Sequence, residues 1–518
     1  MATTRMLLSL SSTRHGRTTS STTALAGVPV RRGQRLQHVR CFCAVSTHKQ
    51  AVAVPAHNAP LSSPSSGLLG GTAVVIGASV AGLLSACALS RHYANVIVCD
   101  KDAVLPGATP RDAVPVPRRG VPQSSQPHVV LTTGYEIINS FLPSFESELL
   151  AAGALPVDWA SPDCKLSTPG GWMAFPQRQT SSTSNMVSVT TSRYLLESVL
   201  RRAVARTVPN ISWLPDARIK GLMHEQGAVC GVLLADGTPL HADLTVHAAG
   251  RSAPAAAWLR DTGLVPAEAM QPEVVDAQLV YTSREYLLPP DVPLPPWKVL
   301  IYQHDPPRTR RIGYLARLEG RRLVATLGGY QRDVASGQDE QAWLSFAKSL
   351  HGGGAEFLAA LQHAVPATAL VSYAGTANMR RRYPAIPGLI HVGDCVMALD
   401  PAFGQGISCA ALAADALRTQ LAACAADKQR WGATAAQTVL RLALANTTLP
   451  AGCEYAWQLA LAQDTRFDDV RRVGSTAQAP PGLLTWYIRA MRRRARVDPV
   501  VSAVDGCHHS CAKTSPAY

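Results

Sequence analysis

No aspartate or glutamate occurs before Asp100. Charged residues make up only 16% of the 518 positions and aromatic residues 6%. The formal net charge of +14 is unevenly spread. Residues 1–50 alone carry eight basic groups (Arg5, Arg14, Arg17, Arg31, Arg32, Arg35, Arg40 and Lys49), leaving 14 − 8 = +6 for the rest. A basic face for nucleic acid is therefore not expected, and no RNA- or DNA-binding motif is present. The twelve cysteines include no CxxC pair. That argues against disulfide exchange and for buried free thiols in a reducing compartment. Cys507-His508-His509-Ser510-Cys511 is the one cluster spaced to hold a metal, but it lacks a second ligand pair, so no metal site is expected. No uninterrupted apolar run reaches membrane-spanning length; 73–89 is broken by Gly77, Ser79 and Gly82. A Ser/His/Asp arrangement and internal repeats are also lacking.

The acid-free leader is rich in Ser, Thr, Ala and Arg, the composition of an organelle transit peptide. It has no continuous apolar segment of the secretory kind. The Met-Ala start, the Ser/Thr density and Val39-Arg40-Cys41, which is similar to a plastid processing site, make the chloroplast the expected address, with the mitochondrion as alternative. Residues 60–67 read as a flexible linker.

From residue 69 the patterning becomes that of a folded protein. A β-branched apolar run at 72–77, a small-residue helix at 79–93 and a second strand at 96–100 form a βαβ unit, which requires a parallel sheet covered on both faces. Helices broken near Pro143 are expected over 129–152, then a strand at 186–190 and a helix at 193–205. Strands at 211–213 and 219–234 suggest a small meander, with Asp236-Gly237 turning between 229–234 and 240–248. Longer antiparallel strands follow at 274–287, 297–303, 311–317 and 322–328, then a helix at 340–363. Beyond 406 the chain reads as helix, at 407–425, 433–446, 454–463 and 483–496. The expected domains are a leader and linker at 1–68, a core of 69–165, 186–270 and 370–425, an inserted domain of 166–185 and 271–369, a helical region at 426–500, and a tail at 501–518.

Two stretches carry chemistry. In Gly77-Ala78-Ser79-Val80-Ala81-Gly82, Ser79 stands where the dinucleotide pattern G-x-G-x-x-G has its middle glycine. Gly77 permits the tight strand-to-helix turn, a small residue at 79 lets a pyrophosphate approach, and Gly82 lets the helix pack closely on the sheet. The helix start stabilises the anion through its N–H groups and dipole. Asp100, at the end of the second strand, is placed to accept ribose hydroxyls. The second stretch is Gly393-Asp394, then Pro401 and Gly404-Gln405-Gly406-Ile407. Asp394 can hold ribityl or ribose hydroxyls. Gly404 and Gly406 let the backbone approach a flat ring, and the following helix points its positive end there.

Together these stretches resemble the FAD-dependent monooxygenases of the para-hydroxybenzoate hydroxylase type. They are more similar still to a bacterial branch of FAD-dependent oxidoreductases sharing Arg118-Arg119-Gly120-Val121-Pro122-Gln123, with His128 after it, and Arg380-Arg381-Arg382-Tyr383. The resemblance spans about residues 73–499. It implies an α/β fold: a Rossmann-like FAD-binding domain with a parallel sheet and βαβ start, an inserted antiparallel-sheet substrate domain, and C-terminal helices. It places Gly77, Ser79, Gly82 and Asp100 on the ADP half of FAD, Arg193 near the pyrophosphate, Asp394 on the ribityl chain, and Gly404 to Ile407 at the isoalloxazine edge.

The implied activity is a monooxygenase: NAD(P)H binds transiently, reduces the flavin, and one oxygen atom of O₂ enters a small apolar, aromatic or isoprenoid substrate. Trp172, Tyr281, Trp297 and Tyr302 are candidate substrate contacts, and His128 is a candidate acid–base group. Two departures matter. Ala249 lies where the family has the acid of A-D-G, with Asp243 too far upstream to replace it, and Met397 replaces a usual histidine. Two alternatives stay open. One is an FAD-dependent reductase or redox-neutral cyclase of an isoprenoid. The other is a non-catalytic flavin-binding assembly or membrane-surface protein, whose helix at 483–496 (Trp486, Tyr487 and five arginines) lies on lipid.

Overall fold

The computed structural model describes residues 68–107, 118, 120–159, 161–173, 187–252, 254–266, 270–335 and 339–480, plus 486, 490, 493, 494, 496 and 497. The leader, the cysteine–histidine cluster at 507–511 and most of the basic segment at 483–496 lie outside the described residues.

A five-stranded parallel sheet forms the frame. Its order is Leu389–His391, Leu244–His247, Gly70–Ile76, Tyr93–Cys99, Ile211–Leu214. The apolar run Ala73-Val74-Val75-Ile76 is buried on both faces, as a central parallel strand requires. The helix Val80–Leu89 packs on this sheet and on the long helix Gly406–Trp431. Small residues Ala86, Cys87 and Ala88 permit that approach, and Leu83, Leu84 and Leu89 are wholly buried beside it. A helix apolar all round is one enclosed all round.

The inserted sheet has eight strands, built on the hairpin pairs Val280–Leu287, Arg322–Gly329, Arg311–Arg317 and Val299–Tyr302. One face is covered by the helices Glu340–Lys348 and Ala355–Leu361, through Trp343, Phe346 and Phe357. The sheet is not wholly antiparallel: Cys164–Thr168 joins Val299–Tyr302 in parallel. The domain boundary expected at 166 thus falls inside that strand.

Several sequence expectations are corrected. Ile211–Leu214 is the edge strand of the parallel sheet; the meander is Ile219–Glu225, Ala228–Leu234 and Pro239–His241. The run 240–248 is two strands, because the chain changes sheets at Ala242-Asp243. The Asp243 carboxylate there accepts from the Gly71 and Thr72 amides at 2.7 and 2.9 Å, tying the switch to the first strand. Likewise 274–287 divides into Glu273–Asp276 and Val280–Leu287, in different sheets. The helix expected at 340–363 is interrupted by the glycine turn His351–Gly354. The last described helix, Ala451–Asp464, buries Trp457 in one apolar cluster with Val275, Tyr281 and Tyr330. No helix among the described residues is long and apolar enough to cross a membrane. Of the eight described cysteines all are free, and all but Cys230 are buried.

Candidate functional site

In open parallel sheets, ligands bind beyond the carboxyl ends of the strands. Here four strand ends open into one cavity of about 560 Å³: Gly77 after the first strand, Asp100 after the second, Ala248 to Arg251 after Leu244–His247, and Asp394 after Leu389–His391. Pro401, Gly404, Gly406 and Ile407 complete its wall. The two stretches singled out in the sequence therefore meet. They touch directly: a Cβ on Gly393 would lie 2.8 Å from that of Ala81.

The first turn behaves as its residue types require. Gly77 has φ +108°, open to glycine and strained for others, and a Cβ there would lie 2.6 Å from the Ala248 carbonyl oxygen. A Cβ on Gly82 would lie 1.8 Å from the Gly77 oxygen. Ala78 faces away from the cavity; its N–H donates to Asp100 at 2.7 Å, locking the two strand ends together.

Ser79 explains its own departure from glycine. Its Oγ donates to Glu197 at 2.8 Å and accepts from Arg193 at 2.8 Å. The hydroxyl therefore does not cap the helix Val80–Leu89, whose first N–H groups carry no side-chain cap. The helix Gly406–Trp431 also starts without a side-chain cap, and a Cβ on Gly406 would meet nothing within 4 Å. Two uncapped helix starts thus face one cavity, each a site for an anion or a polar ring edge. Gln405 is buried and does not line the cavity.

Beneath Ser79 lies a charge cluster that the sequence reading missed. Glu197 is 1% exposed and receives Arg193 at 2.8 Å, Arg201 at 3.3 Å and Arg118. Burial alone would raise its carboxyl, but the three guanidiniums hold it well below the usual range. Arg118 also reaches Asp100 at 3.0 Å and Asp102 at 3.2 Å. The signal was present as Arg193, Glu197 and Arg201 at spacing four, one face of a helix. Arg193 opens the helix Arg193–Thr207 and is buried rather than solvated.

On the other side, Asp394 makes no hydrogen bond among the described residues. Burial raises its carboxyl, while Arg251 and Arg193 oppose this. Arg251 donates to the Ala377 and Leu399 carbonyls at 2.9 Å each and to that of Gly375, pinning the segments at 375–377 and 399 to the cavity wall. Ala249 lines the cavity; Met397 is buried in a strand away from it. His128 lines the cavity too. Its Nδ1–H donates to the Gln126 carbonyl at 2.8 Å, and burial, then Arg193, lower its pKa to about 3. A neutral ring is therefore present at physiological pH.

A second cavity of about 200 Å³ adjoins the first and shares Pro127, Val129, Tyr281, Pro401 and Gly404 with it. Leu166, Ile301, Ile312, Tyr302, Tyr314, Trp159 and Phe403 line it, with Gln303, His304 and Thr326 as its few polar groups. Of the four aromatic candidates, Tyr281 and Tyr302 are here. Trp297 is buried in the core of the inserted sheet, and Trp172 sits at its surface under the Lys165 ammonium.

One buried group elsewhere was also unforeseen. His247, His391 and Cys395 bring their ligand atoms within 4.8 Å of one another. The His247 and His391 Nδ1 atoms are 3.2 Å apart, and the Cys395 thiol donates to the Val392 and His247 carbonyls at 2.9 and 3.1 Å. Burial lowers both histidines and pushes the thiol up to about 12. Two neutral rings, the form in which histidine ligates, thus lie beside a thiol that burial keeps protonated.

The fold and the two-motif cavity define the class: the chain has the fold of the FAD-dependent monooxygenases. It superposes on PqsL of Pseudomonas aeruginosa, a probable FAD-dependent monooxygenase, with TM-score 0.55 and 14% identity over 77% of this chain and 97% of that one. It superposes on the flavin-dependent brominase Bmp2 with TM-score 0.57 and 14% identity, over 86% and 96%. A third likeness, to the Diels-Alderase PyrE3 of pyrroindomycin biosynthesis, has TM-score 0.52 and 15% identity, over 85% and 80%. No family model matches. Within this class the chain belongs to the family of Protein Rv3254 from Mycobacterium tuberculosis. The two are 30% identical over 453 residues, 80% of this chain and 88% of that one.

Proposed function

We propose that the chain is an FAD-dependent oxidoreductase, and specifically a monooxygenase that hydroxylates or epoxidises a small apolar, aromatic or isoprenoid substrate. NAD(P)H is its transient electron donor and O₂ its oxygen source. The observation that carries this is the pairing of two uncapped helix starts and the free Asp394 carboxylate on one cavity of about 560 Å³. That size falls within the roughly 300–1,000 Å³ of cofactor sites.

The residues present fit FAD. Main-chain N–H groups at Ser79 to Ala81 would hold the pyrophosphate, and Asp100 the adenosine ribose. Asp394 would hold the ribityl hydroxyls, and Gly404 to Ile407 would approach the ring. Bound there, the flavin supplies electron transfer and oxygen activation. The protein's own contribution would be the apolar cavity adjoining the Pro401–Gly404 turn, where Tyr281, Tyr302 and Phe403 would exclude water.

The test is a visible spectrum of the purified protein with and without NADPH or NADH, followed by oxygen uptake with apolar substrates. Bleaching by a nicotinamide with substrate-dependent oxygen incorporation supports the monooxygenase. A colourless protein refutes the flavin site altogether.

A second reading, a reductase or redox-neutral cyclase of an isoprenoid, is favoured by Ala249 at the cavity wall and by the almost wholly apolar second cavity. A fold hosts many chemistries. Bleaching without oxygen incorporation would select the reductase, and turnover without net flavin reduction the cyclase. A flavin that neither nicotinamide reduces would select the non-catalytic alternative. We propose the chloroplast as its location, tested by the destination of a fluorescent protein fused behind residues 1–68.

A further inference from the structure

The second cavity, of about 200 Å³, is walled by one face of the inserted sheet. Strand register sets that face. Leu166, Ile301, Tyr314 and Thr326 are partners across four adjacent strands, Cys164–Thr168, Val299–Tyr302, Arg311–Arg317 and Arg322–Gly329, so they stand in one row. All four line the cavity. At about 4.8 Å per strand, three steps make the row roughly 14 Å long. It is apolar at the Leu166 end and polar at the Thr326 end.

The polar end has more O–H groups than acceptors. Thr326 Oγ1 and Ser283 Oγ are 2.6 Å apart, and neither makes another hydrogen bond among the described residues. Two hydroxyls bring two protons, and the bond between them uses one. Thr326 lines the cavity and Ser283 does not, so the remaining proton is available on Thr326. On the next strand, the Tyr314 Oη is buried with no partner among the described residues. Burial pushes this phenol up, so it is an O–H donor rather than an anion. Buried hydroxyls are seldom left unbonded, because that costs free energy. One oxygen atom held between these two strands could accept from both.

The rest of the lining decides the charge. Among the described residues no Lys, Arg, Asp or Glu lines this cavity. Trp159 Nε1 is committed to Ser188 Oγ at 2.7 Å. Gln303 and His304 are engaged within the protein, His304 against the Tyr330 ring with centroids 4.4 Å apart. A carboxylate brought here would lose its water and gain no counter-charge.

We propose that this cavity takes an uncharged molecule with a single hydroxyl or carbonyl oxygen, which Thr326 and Tyr314 hold while its hydrocarbon lies along Ile301 and Leu166. That this molecule is the substrate rests on the FAD reading above; that it binds does not. The substrate class narrows to neutral alcohols, phenols and ketones, and acids are excluded.

The test uses three probes of similar shape, 2-naphthol, naphthalene and 2-naphthoate, each measured by equilibrium dialysis against the purified protein at neutral pH. 2-Naphthoate is expected to bind at least about tenfold more weakly than 2-naphthol. In Tyr314→Phe and in Thr326→Val, affinity for 2-naphthol should fall about two- to tenfold, the range of one neutral hydrogen bond, and affinity for naphthalene should not. Tyr314→Phe should also keep at least the wild-type Tm, because the hydroxyl it removes has no partner among the described residues. The proposal is overturned by failure of 2-naphthol to bind, by 2-naphthoate binding as tightly, by equal losses for 2-naphthol and naphthalene, or by a lower Tm for Tyr314→Phe. A yellow protein with any of these results leaves the flavin reading standing. A colourless protein that discriminates among the probes as expected refutes the flavin reading and leaves the binding site in place.

Discussion

Gly82→Ala tests the flavin site at the point where the geometry is least forgiving. An added Cβ would sit 1.8 Å from the Gly77 oxygen and 3.0 Å from its carbonyl carbon. Real Cβ contacts do not fall below 3.0 Å, so helix and turn must part by at least 3.0 − 1.8 = 1.2 Å. Neither side can yield cheaply. The helix Val80–Leu89 is held by buried Leu83, Leu84 and Leu89, and the Gly77 N–H donates to the Cys99 carbonyl at 2.7 Å. Overpacking of this kind costs about 1–3 kcal/mol. The same movement carries the first helical N–H groups away from the pyrophosphate position. At about 1.4 kcal/mol per tenfold, flavin affinity should fall roughly tenfold or more. Gly406→Ala is the companion measurement. Its Cβ meets nothing within 4 Å, so unliganded stability should be unchanged, while the methyl intrudes where the ring would lie. The assay is thermal denaturation with and without added FAD, together with flavin content on purification. A Gly82→Ala protein with wild-type Tm and flavin content would refute the packing argument, and a Gly406→Ala protein with undiminished flavin content would remove the ring from that turn.

Three further outcomes are expected. Glu197→Ala leaves the buried Arg193 and Arg201 guanidiniums without their carboxylate, while Arg118 keeps Asp100 and Asp102, and should destabilise by about 3–5 kcal/mol, read by urea denaturation. Because the folded Glu197 carboxyl is depressed, its contribution is present above the ordinary glutamate range and lost as pH falls below it, so the difference between wild type and variant should shrink on acidification. Asp394→Asn keeps the size and removes the charge, and should lower flavin retention on gel filtration without lowering apoprotein Tm, since the carboxylate makes no hydrogen bond among the described residues. His128, held neutral with a pKa near 3, should contribute no limb to an activity profile between about pH 5 and 8; a limb abolished by His128→Asn would contradict its environment.

The sequence by itself determined the frame and the two ends of the candidate site. Alternation of a β-branched run, glycines and a small-residue helix specifies a βαβ turn locally, because glycine's freedom and close packing act within a few residues. The second stretch was legible for the same reason. What the sequence could not decide is everything that depends on which strands become neighbours. Ile211–Leu214 looks the same as an edge of either sheet, and 240–248 carries no mark of the point where the chain changes sheets. His247 and His391, far apart in the chain, become partners only because their strands pair in parallel. The same holds for Ser79, whose hydroxyl gains meaning only from Glu197 and Arg193 on a distant helix. It holds again for Asp400, an ordinary residue before a proline until folding buries it at the cavity wall. Local conformation is encoded by neighbours in sequence, whereas burial and charge pairing are set by neighbours in space.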